Sequence, residues 1–294
     1  MSLFGRMVRE EHRLHSRLFG SGRFLAFPAV ITLLVAGGAW LLTTTGTATG
    51  TVVAGVHVLV AFLGLQVGTI GLVGRDAMRN VLGDVTLLVF SGRTLPISWR
   101  RLLGTFLLKD LLYYAVFFVT PIVVGLAPVV LAGGAPPSTL PLLWLTVVGT
   151  FTLGAGGSLT AAGLAGRSKP AAILAVAALV AGFATGSFDV VAFTPYAVYD
   201  DPSVVTVVRG FLPTLLLVAA GPVVFRPSAG GSLRQARRVD RDFAGIGDRL
   251  PATPDPELAV RPLLEVHRSS GSVWKEAFSL GILFAVTAFL LDRI

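Results

Sequence analysis

A few residues that could do chemistry lie inside long apolar stretches of the 294-residue chain. Ser158 follows the small-residue run Gly154-Ala155-Gly156-Gly157, and His57 is the titratable residue of an earlier stretch. A serine beside glycines can attack a carbonyl carbon while backbone amides stabilise the oxyanion, and a histidine can take its proton. The pair suggests a hydrolase built among apolar helices. Small residues also allow close helix packing, which explains the glycines equally well, and we favour a structural, hydrogen-bonded role for His57.

Charged residues interrupt other apolar stretches, among them Lys109, Asp110 and Arg209. Neighbours on a helix point about 100° apart, so we expect Lys109 and Asp110 to bind separate partners and not each other. Arg209 lies one to two turns into its stretch, where it can extend towards water or meet an acid such as Asp189.

Metal, thiol and nucleotide chemistry have no support in the sequence. The chain contains no cysteine and no His-Glu-x-x-His motif, so we predict no metal site. The motif Gly-x-x-x-x-Gly-Lys-Ser/Thr is also missing, so we predict that the chain does not bind ATP and carries no cofactor of its own.

The composition is that of a membrane protein. Hydrophobic residues make up 53% of the chain and charged residues 14%, and the mean hydropathy is +0.78. Seven apolar stretches cover residues 24–42, 52–73, 102–131, 142–165, 171–191, 204–225 and 277–291. The first six are long enough for the roughly 20 residues that a helix needs to cross the hydrocarbon core, whereas the seventh rises only about 22 Å.

The basic residues alternate between loops. Arg and Lys precede the first stretch and follow the second, fourth and sixth, but they are absent from residues 43–51, 132–141 and 192–203. By the positive-inside rule, this pattern predicts a multi-pass protein of the cell membrane with a cytoplasmic N-terminus. The net charge of +8 therefore reflects topology and does not indicate nucleic-acid binding.

The predicted fold is all-α, a polytopic transmembrane bundle of six spans plus a short seventh. Residues 1–23 form an interfacial amphipathic helix, residues 24–225 the six-span domain, residues 226–272 a cytoplasmic linker and residues 273–294 a C-terminal hydrophobic helix. Gly64, Gly68 and Gly71 recur at helical spacing and predict close helix packing. Pro121 and Pro128 predict a kink or an unwound outer end in the third span.

The charged segment 75–110 separates the second and third stretches. An amphipathic helix is predicted over residues 75–90, and Gly92 and Pro96 end it. Ser98 is a suitable N-cap for the next helix, which begins at Trp99. Residues 75–110 are therefore the expected working surface of the chain.

One family shares this arrangement. An interfacial N-terminal helix, two spans, an acidic residue before an apolar run, and then Leu95-Pro96-Ile97-Ser98 with Arg100 and Arg101 resemble the membrane permease subunit of type-2 ABC exporters. Residues 195–209 are also similar to the family's outer re-entrant element. Asp84 stands where the family often has glutamate, and the seventh stretch exceeds the usual six spans.

The resemblance implies a transport subunit with no enzymatic site, which couples ATP hydrolysis by a separate ATPase to export of a solute or lipid-like substrate. ATP and Mg would bind to that ATPase, and a second permease chain would complete a homo- or heterodimer in the membrane lipid. The coupling helix that contacts the ATPase would present Arg75, Asp76, Arg79, Leu82, Asp84, Val85 and Leu88. The coupling loop would comprise Leu95, Pro96, Ser98, Arg100 and Arg101.

Two alternatives from other classes stay open. The first is an intramembrane hydrolase that uses Ser158 and His57. The second is a non-catalytic membrane anchor or assembly protein. Polar residues in the spans are few, which is compatible with a hydrophobic or lipid-like cargo and equally with none.

Overall fold

The computed structural model describes residues 21–73, 98–168 and 191–225, together with isolated positions between residues 4 and 13 and between residues 170 and 189. Every regular element in these ranges is helical. The elements are α1 (Ser21–Thr44), α2 (Thr49–Val73), α3 (Trp99–Tyr114), a π-helical segment (Ala115–Val119), α4 (Thr120–Ala132), α5 (Thr139–Arg167), a 3-10 turn (Val191–Phe193), α6 (Pro195–Asp200) and α7 (Val204–Val224).

Five of these helical segments are long and apolar enough to cross a membrane: Ala26–Thr44, Thr49–Gly68, Leu103–Ala132, Thr139–Arg167 and Val204–Val224. The regular structure of the described residues is helical, as predicted, and these five segments, which suggest a multi-pass membrane protein, correspond to the first four predicted stretches and the sixth. Most of the predicted span at 171–191 and of the N-terminal helix, together with the linker 226–272 and the predicted span at 277–291, lies outside the described residues.

Helices α2 and α5 run parallel in close contact because glycines remove the side chains between them. A Cβ on Gly64 would collide with the Phe151 carbonyl oxygen, and one on Gly68 with the Ala155 carbonyl oxygen. Gly154 faces the backbone of Ala61 in the same way. In a membrane the hydrophobic effect does not drive helices together, because lipid tails are as apolar as the side chains. Close van der Waals contact of this kind therefore holds the two helices together. The packing role predicted for Gly64 and Gly68 is confirmed.

A second parallel pair is formed by α1 and α4. A Cβ on Gly125 would approach the Thr32 carbonyl oxygen at 2.7 Å. The Thr32 hydroxyl donates to the Pro121 carbonyl at 3.2 Å, and the Phe27 and Phe118 rings meet edge to face. Helix α7 packs parallel to α5, where the Thr160 hydroxyl donates to the Leu217 carbonyl at 2.9 Å.

The third span is irregular where proline interrupts it. Pro121 has no N–H, so the Phe117 carbonyl loses its usual helical donor, and the preceding turn widens into the π-helical segment. The Thr120 hydroxyl donates to the Ala115 carbonyl at 2.9 Å and accepts from Trp144 Nε1 at 3.0 Å. The Thr120 side chain thus adds a second donor to the Ala115 carbonyl, which already accepts the Thr120 N–H.

The connections define two ends of the bundle. The turn end contains the links α1–α2 and α4–α5 and the segment before α7, and the basic end contains Arg100, Arg101 and Arg167. Both short links use a glycine with positive φ, Gly46 at 102° and Gly134 at 89°, which a side chain would strain.

Candidate functional sites

A buried ion pair lies in the third span. Lys109 Nζ is 2.7 Å from Asp110 Oδ1, and the two side chains are 3% and 17% exposed. The expectation that these neighbours do not pair with each other is wrong. The long lysine stem lets the ammonium swing across the roughly 100° between adjacent helical positions, and an ammonium in apolar surroundings requires a counter-charge.

One aromatic ring contacts this pair, and two more stack on each other further along the same span. Lys109 Nζ lies 4.4 Å from the centroid of the Phe106 ring, a cation–π contact. One turn further on, Tyr113 is buried and stacks on Phe117 at 4.6 Å between centroids. Lys109 follows the first residue of the span, Leu103, by about 9 Å of helical rise. Charges at such a position in a membrane helix are costly and commonly functional, so the pair is a candidate site.

The basic end carries the described part of the predicted coupling loop. Ser98 immediately precedes α3 in an extended conformation, although its side chain makes no capping hydrogen bond. Arg100 and Arg101 are exposed in the first turn. The remaining predicted contact residues lie outside the described part of the chain: Arg75, Asp76, Arg79, Leu82, Asp84, Val85, Leu88, Leu95 and Pro96.

His57 is hydrogen-bonded at both ring nitrogens and is 2% exposed. Its Nδ1 lies 2.9 Å from the Val53 carbonyl oxygen, and its Nε2 lies 3.1 Å from Thr146 Oγ1. The Val53 carbonyl can only accept, so Nδ1 carries a proton. The Thr146 hydroxyl also lies 3.0 Å from the Leu143 carbonyl oxygen, so its single proton is shared between that carbonyl and Nε2. The sequence offered no signal for Thr146, because a threonine in an apolar helix ordinarily bonds to its own backbone.

Ser158 has a different environment. Its hydroxyl donates to the Ala155 carbonyl at 3.1 Å, and the side chain is buried against Gly68. Thr146 is the α5 residue that contacts His57, and it lies about 18 Å from Ser158 along the helix axis. The structure therefore does not bring Ser158 and His57 together. Within the described ranges, no three His, Cys, Asp or Glu side chains are placed to hold a metal ion.

Helix α6 covers His57 with two tyrosines. The Tyr196 ring meets the imidazole edge to face with 5.1 Å between centroids, and the Tyr199 ring lies 6.0 Å away. Burial, with smaller effects from Asp200 and Tyr199, raises the pKa of Tyr196, and burial also raises the pKa of Tyr199. The sequence indicates only an aromatic interface here, although the spacing of three residues already places both rings on one helix face.

Arg209 is directed towards the backbone at the turn end. Its Nε donates to the Ala192 carbonyl at 3.1 Å, and the guanidinium carbon lies 5.7 Å from the Phe193 ring centroid. Asp189 instead accepts the Ala192 N–H at 3.2 Å, and no ion pair joins it to Arg209 in the described structure. The sequence leaves two roles open for Arg209, extension towards water or an ion pair with an acid such as Asp189. In the structure Arg209 is exposed and extends away from the bundle centre.

A groove follows the exposed face of α7 next to Arg209. Its volume is about 550 Å³, and apart from Arg209 its walls are apolar. The walls include Phe193, Val205, Val208, Leu212 and Leu216.

No protein-family model, curated protein or solved structure matches the chain.

Proposed function

We propose that the chain is the membrane permease subunit of an ATP-driven exporter and that a separate ATPase supplies the energy. The observation that carries the proposal is the third span. Helices α3 and α4 and the π-helical segment between them follow one another without a break over 34 residues, from Trp99 to Ala132. This element begins directly after the sequence Leu95-Pro96-Ile97-Ser98, and it joins the exposed arginines of the basic end to the buried ion pair.

Such an element is suited to carry a displacement from one end of the bundle into its centre. A helix of this length extends about 50 Å. A shift imposed at Arg100 or Arg101 would move Lys109 and Asp110 as a rigid unit, whereas the π-helical segment and Pro121 provide a place to bend. Transport by alternating access needs both a rigid lever and a site where the helix can yield.

The family resemblance supports the remaining parts of the proposal. The basic end would face the cytoplasm, and the ATPase would dock on the segment that includes Asp84 and Leu88, with Arg100 and Arg101 close by. Two permease chains would form the membrane unit. Export, and a solute or lipid-like substrate, are proposed on the resemblance alone.

Co-purification with an ATPase encoded beside this chain tests the docking step. The full chain is tagged, co-expressed with that ATPase and purified, and the amount of bound ATPase is measured for Leu88→Asp and Asp84→Arg. We expect both variants to lose the ATPase. The matched control is Ser138→Asp, which adds a charge at an exposed position of the turn end. ATPase binding and coupled hydrolysis that survive both basic-end changes would refute the docking assignment.

A second measurement separates docking from coupling. In membranes of defined lipid, Lys109→Met should keep the ATPase bound, because the ion pair is buried away from the basic end. The same variant should lose the difference in ATP hydrolysis between the free and the permease-bound ATPase. Full retention of that difference would refute the role of the third span as the lever.

A further inference from the structure

We propose that the groove along α7 binds a membrane lipid with an anionic headgroup, whose phosphate meets the Arg209 guanidinium and whose acyl chain lies along the helix. The proposal requires only that the protein spans a membrane. It does not depend on the proposed transport function.

The shape of the groove fits one acyl chain. Val205, Val208, Leu212 and Leu216 recur at intervals of three and four residues, so they form one continuous face of α7. From Val205 to Leu216 the helix rises about 16 Å, close to the roughly 15 Å of one leaflet's hydrocarbon. The face is open, with Val205 72% and Leu216 60% exposed.

Arg209 gives the groove its headgroup selectivity. Its Nε is occupied by the Ala192 carbonyl, which fixes the plane of the guanidinium over Phe193. This arrangement leaves the two terminal nitrogens to grip a phosphate with two parallel hydrogen bonds. A plain apolar face would accept any lipid, so it is the arginine at its mouth that favours an acidic one.

The nearby carboxylates are hydrogen-bonded to groups other than this arginine. Asp189 accepts the Ala192 N–H, and Asp201 accepts the hydroxyls of Ser203 at 3.2 Å and Thr206 at 3.0 Å. In the part of the chain that the structure describes, Arg209 forms no ion pair, and its charge is complementary to an anion. A second copy of this chain is a poorer occupant, since a two-fold contact through this face would bring two Arg209 side chains together.

Lipid binding to the purified full chain tests the proposal. Native mass spectrometry in detergent, with dioleoyl phosphatidylglycerol or dioleoyl phosphatidylcholine added, gives the dissociation constant of the first bound lipid. We expect phosphatidylglycerol to bind about tenfold more tightly, an amount typical of one charge-assisted contact. Arg209→Gln should abolish this preference, and Arg209→Lys should keep part of it because the charge remains but the planar fork does not.

Two further variants separate the headgroup from the chain. Arg167→Gln is the matched control, because Arg167 is also exposed and donates to a backbone carbonyl, that of Val223 at 3.1 Å, but lies at the basic end. It should leave the preference unchanged. Leu212→Trp fills the groove and should weaken both lipids, which keeps the proposal testable if Arg209→Gln does not fold.

Three results would overturn the proposal: equal binding of the two lipids, a phosphatidylglycerol preference that survives Arg209→Gln, or unchanged affinities in Leu212→Trp. Inorganic phosphate distinguishes a lipid from a free anion. If millimolar phosphate displaces phosphatidylglycerol from wild-type protein as effectively as the lipid itself does, the site binds a free anion and the lipid assignment fails. ATPase co-purification should be unaffected by Arg209→Gln, so the outcome here is separate from that of the proposed function.

Discussion

Breaking the buried ion pair should destabilise the protein more than removing it altogether. At 2.7 Å the Coulomb attraction between Lys109 and Asp110 is about 6 kcal/mol with an effective dielectric constant of 20. Each ion gives up several kcal/mol of hydration when it is buried, so the net contribution of the intact pair is small. Truncating one partner removes the counter-charge that lies 2.7 Å from the other, and breaking a buried pair in this way typically costs about 3 to 5 kcal/mol.

The two single variants should differ because the two side chains are buried to different extents. Lys109→Met leaves a carboxylate that is 17% exposed and should cost about 3 kcal/mol. Asp110→Leu leaves an ammonium that is only 3% exposed and should cost about 5 kcal/mol. The double variant should return to within about 1 kcal/mol of wild type, because apolar residues then fill an apolar site.

The assay is reversible unfolding of the full chain in mixed micelles with increasing SDS, followed by tryptophan fluorescence from the four tryptophans. Leu112→Met is the control, since Leu112 lies on the same helix with 49% of its surface exposed and should change stability by less than about 0.5 kcal/mol. The reasoning would be refuted if each single variant lowered the free energy of unfolding by less than about 1 kcal/mol. It would also be refuted if the loss in the double variant equalled the sum of the two single losses.

Three other perturbations test the packing, the histidine site and its tyrosine cover. Gly68→Val should lower the free energy of unfolding by more than about 2 kcal/mol, because its side chain would meet the α5 backbone, whereas Gly37→Ala has open space and should be neutral or slightly stabilising. The same SDS titration measures both, and equal effects would contradict the close α2–α5 contact. Thr146→Val should cost about 1 to 3 kcal/mol by leaving a nitrogen of His57 without its partner, and no loss would show that the bond is dispensable. Because the pKa of Tyr196 is raised on folding, the unfolded chain releases this proton first as pH rises, so stability should be complete below about pH 10 and decline above it. Thermal unfolding from about pH 9 to about pH 11 should show a shallower decline for Tyr196→Phe, and an unchanged slope would contradict the burial of that hydroxyl.

Several parts of the fold could be read from local sequence. The apolar stretches become the helices α1, α2, α5 and α7, and the first three of these extend two or three residues beyond the apolar stretch at one or both ends. The glycine spacing anticipates the α2–α5 contact, and Pro121 anticipates the irregular third span. These features depend on hydrophobicity over about 20 residues or on the backbone chemistry of glycine and proline, both of which are local properties.

The candidate sites depend on contacts that local patterns do not encode. The separation of about 100° predicts that Lys109 and Asp110 diverge, but it ignores the reach of a lysine stem in a site where no water can solvate an isolated ammonium. Nothing in the run around Thr146 indicates that its hydroxyl reaches His57, a residue 89 positions away.

By itself, the sequence determined that the described part of the chain folds into helices, five of them long and apolar enough to cross a membrane, and it supplied the glycines and prolines that shape these helices. Hydrophobic length and backbone restrictions act within a few turns, so they do not need the rest of the chain. Only the tertiary structure decided which polar groups meet: the ion pair in the third span, the bond between His57 and Thr146, and the orientation of Arg209 at the mouth of the α7 groove. Buried polar side chains need hydrogen-bond or charge partners where water is absent. The tertiary structure determines which neighbouring groups are close enough to be those partners.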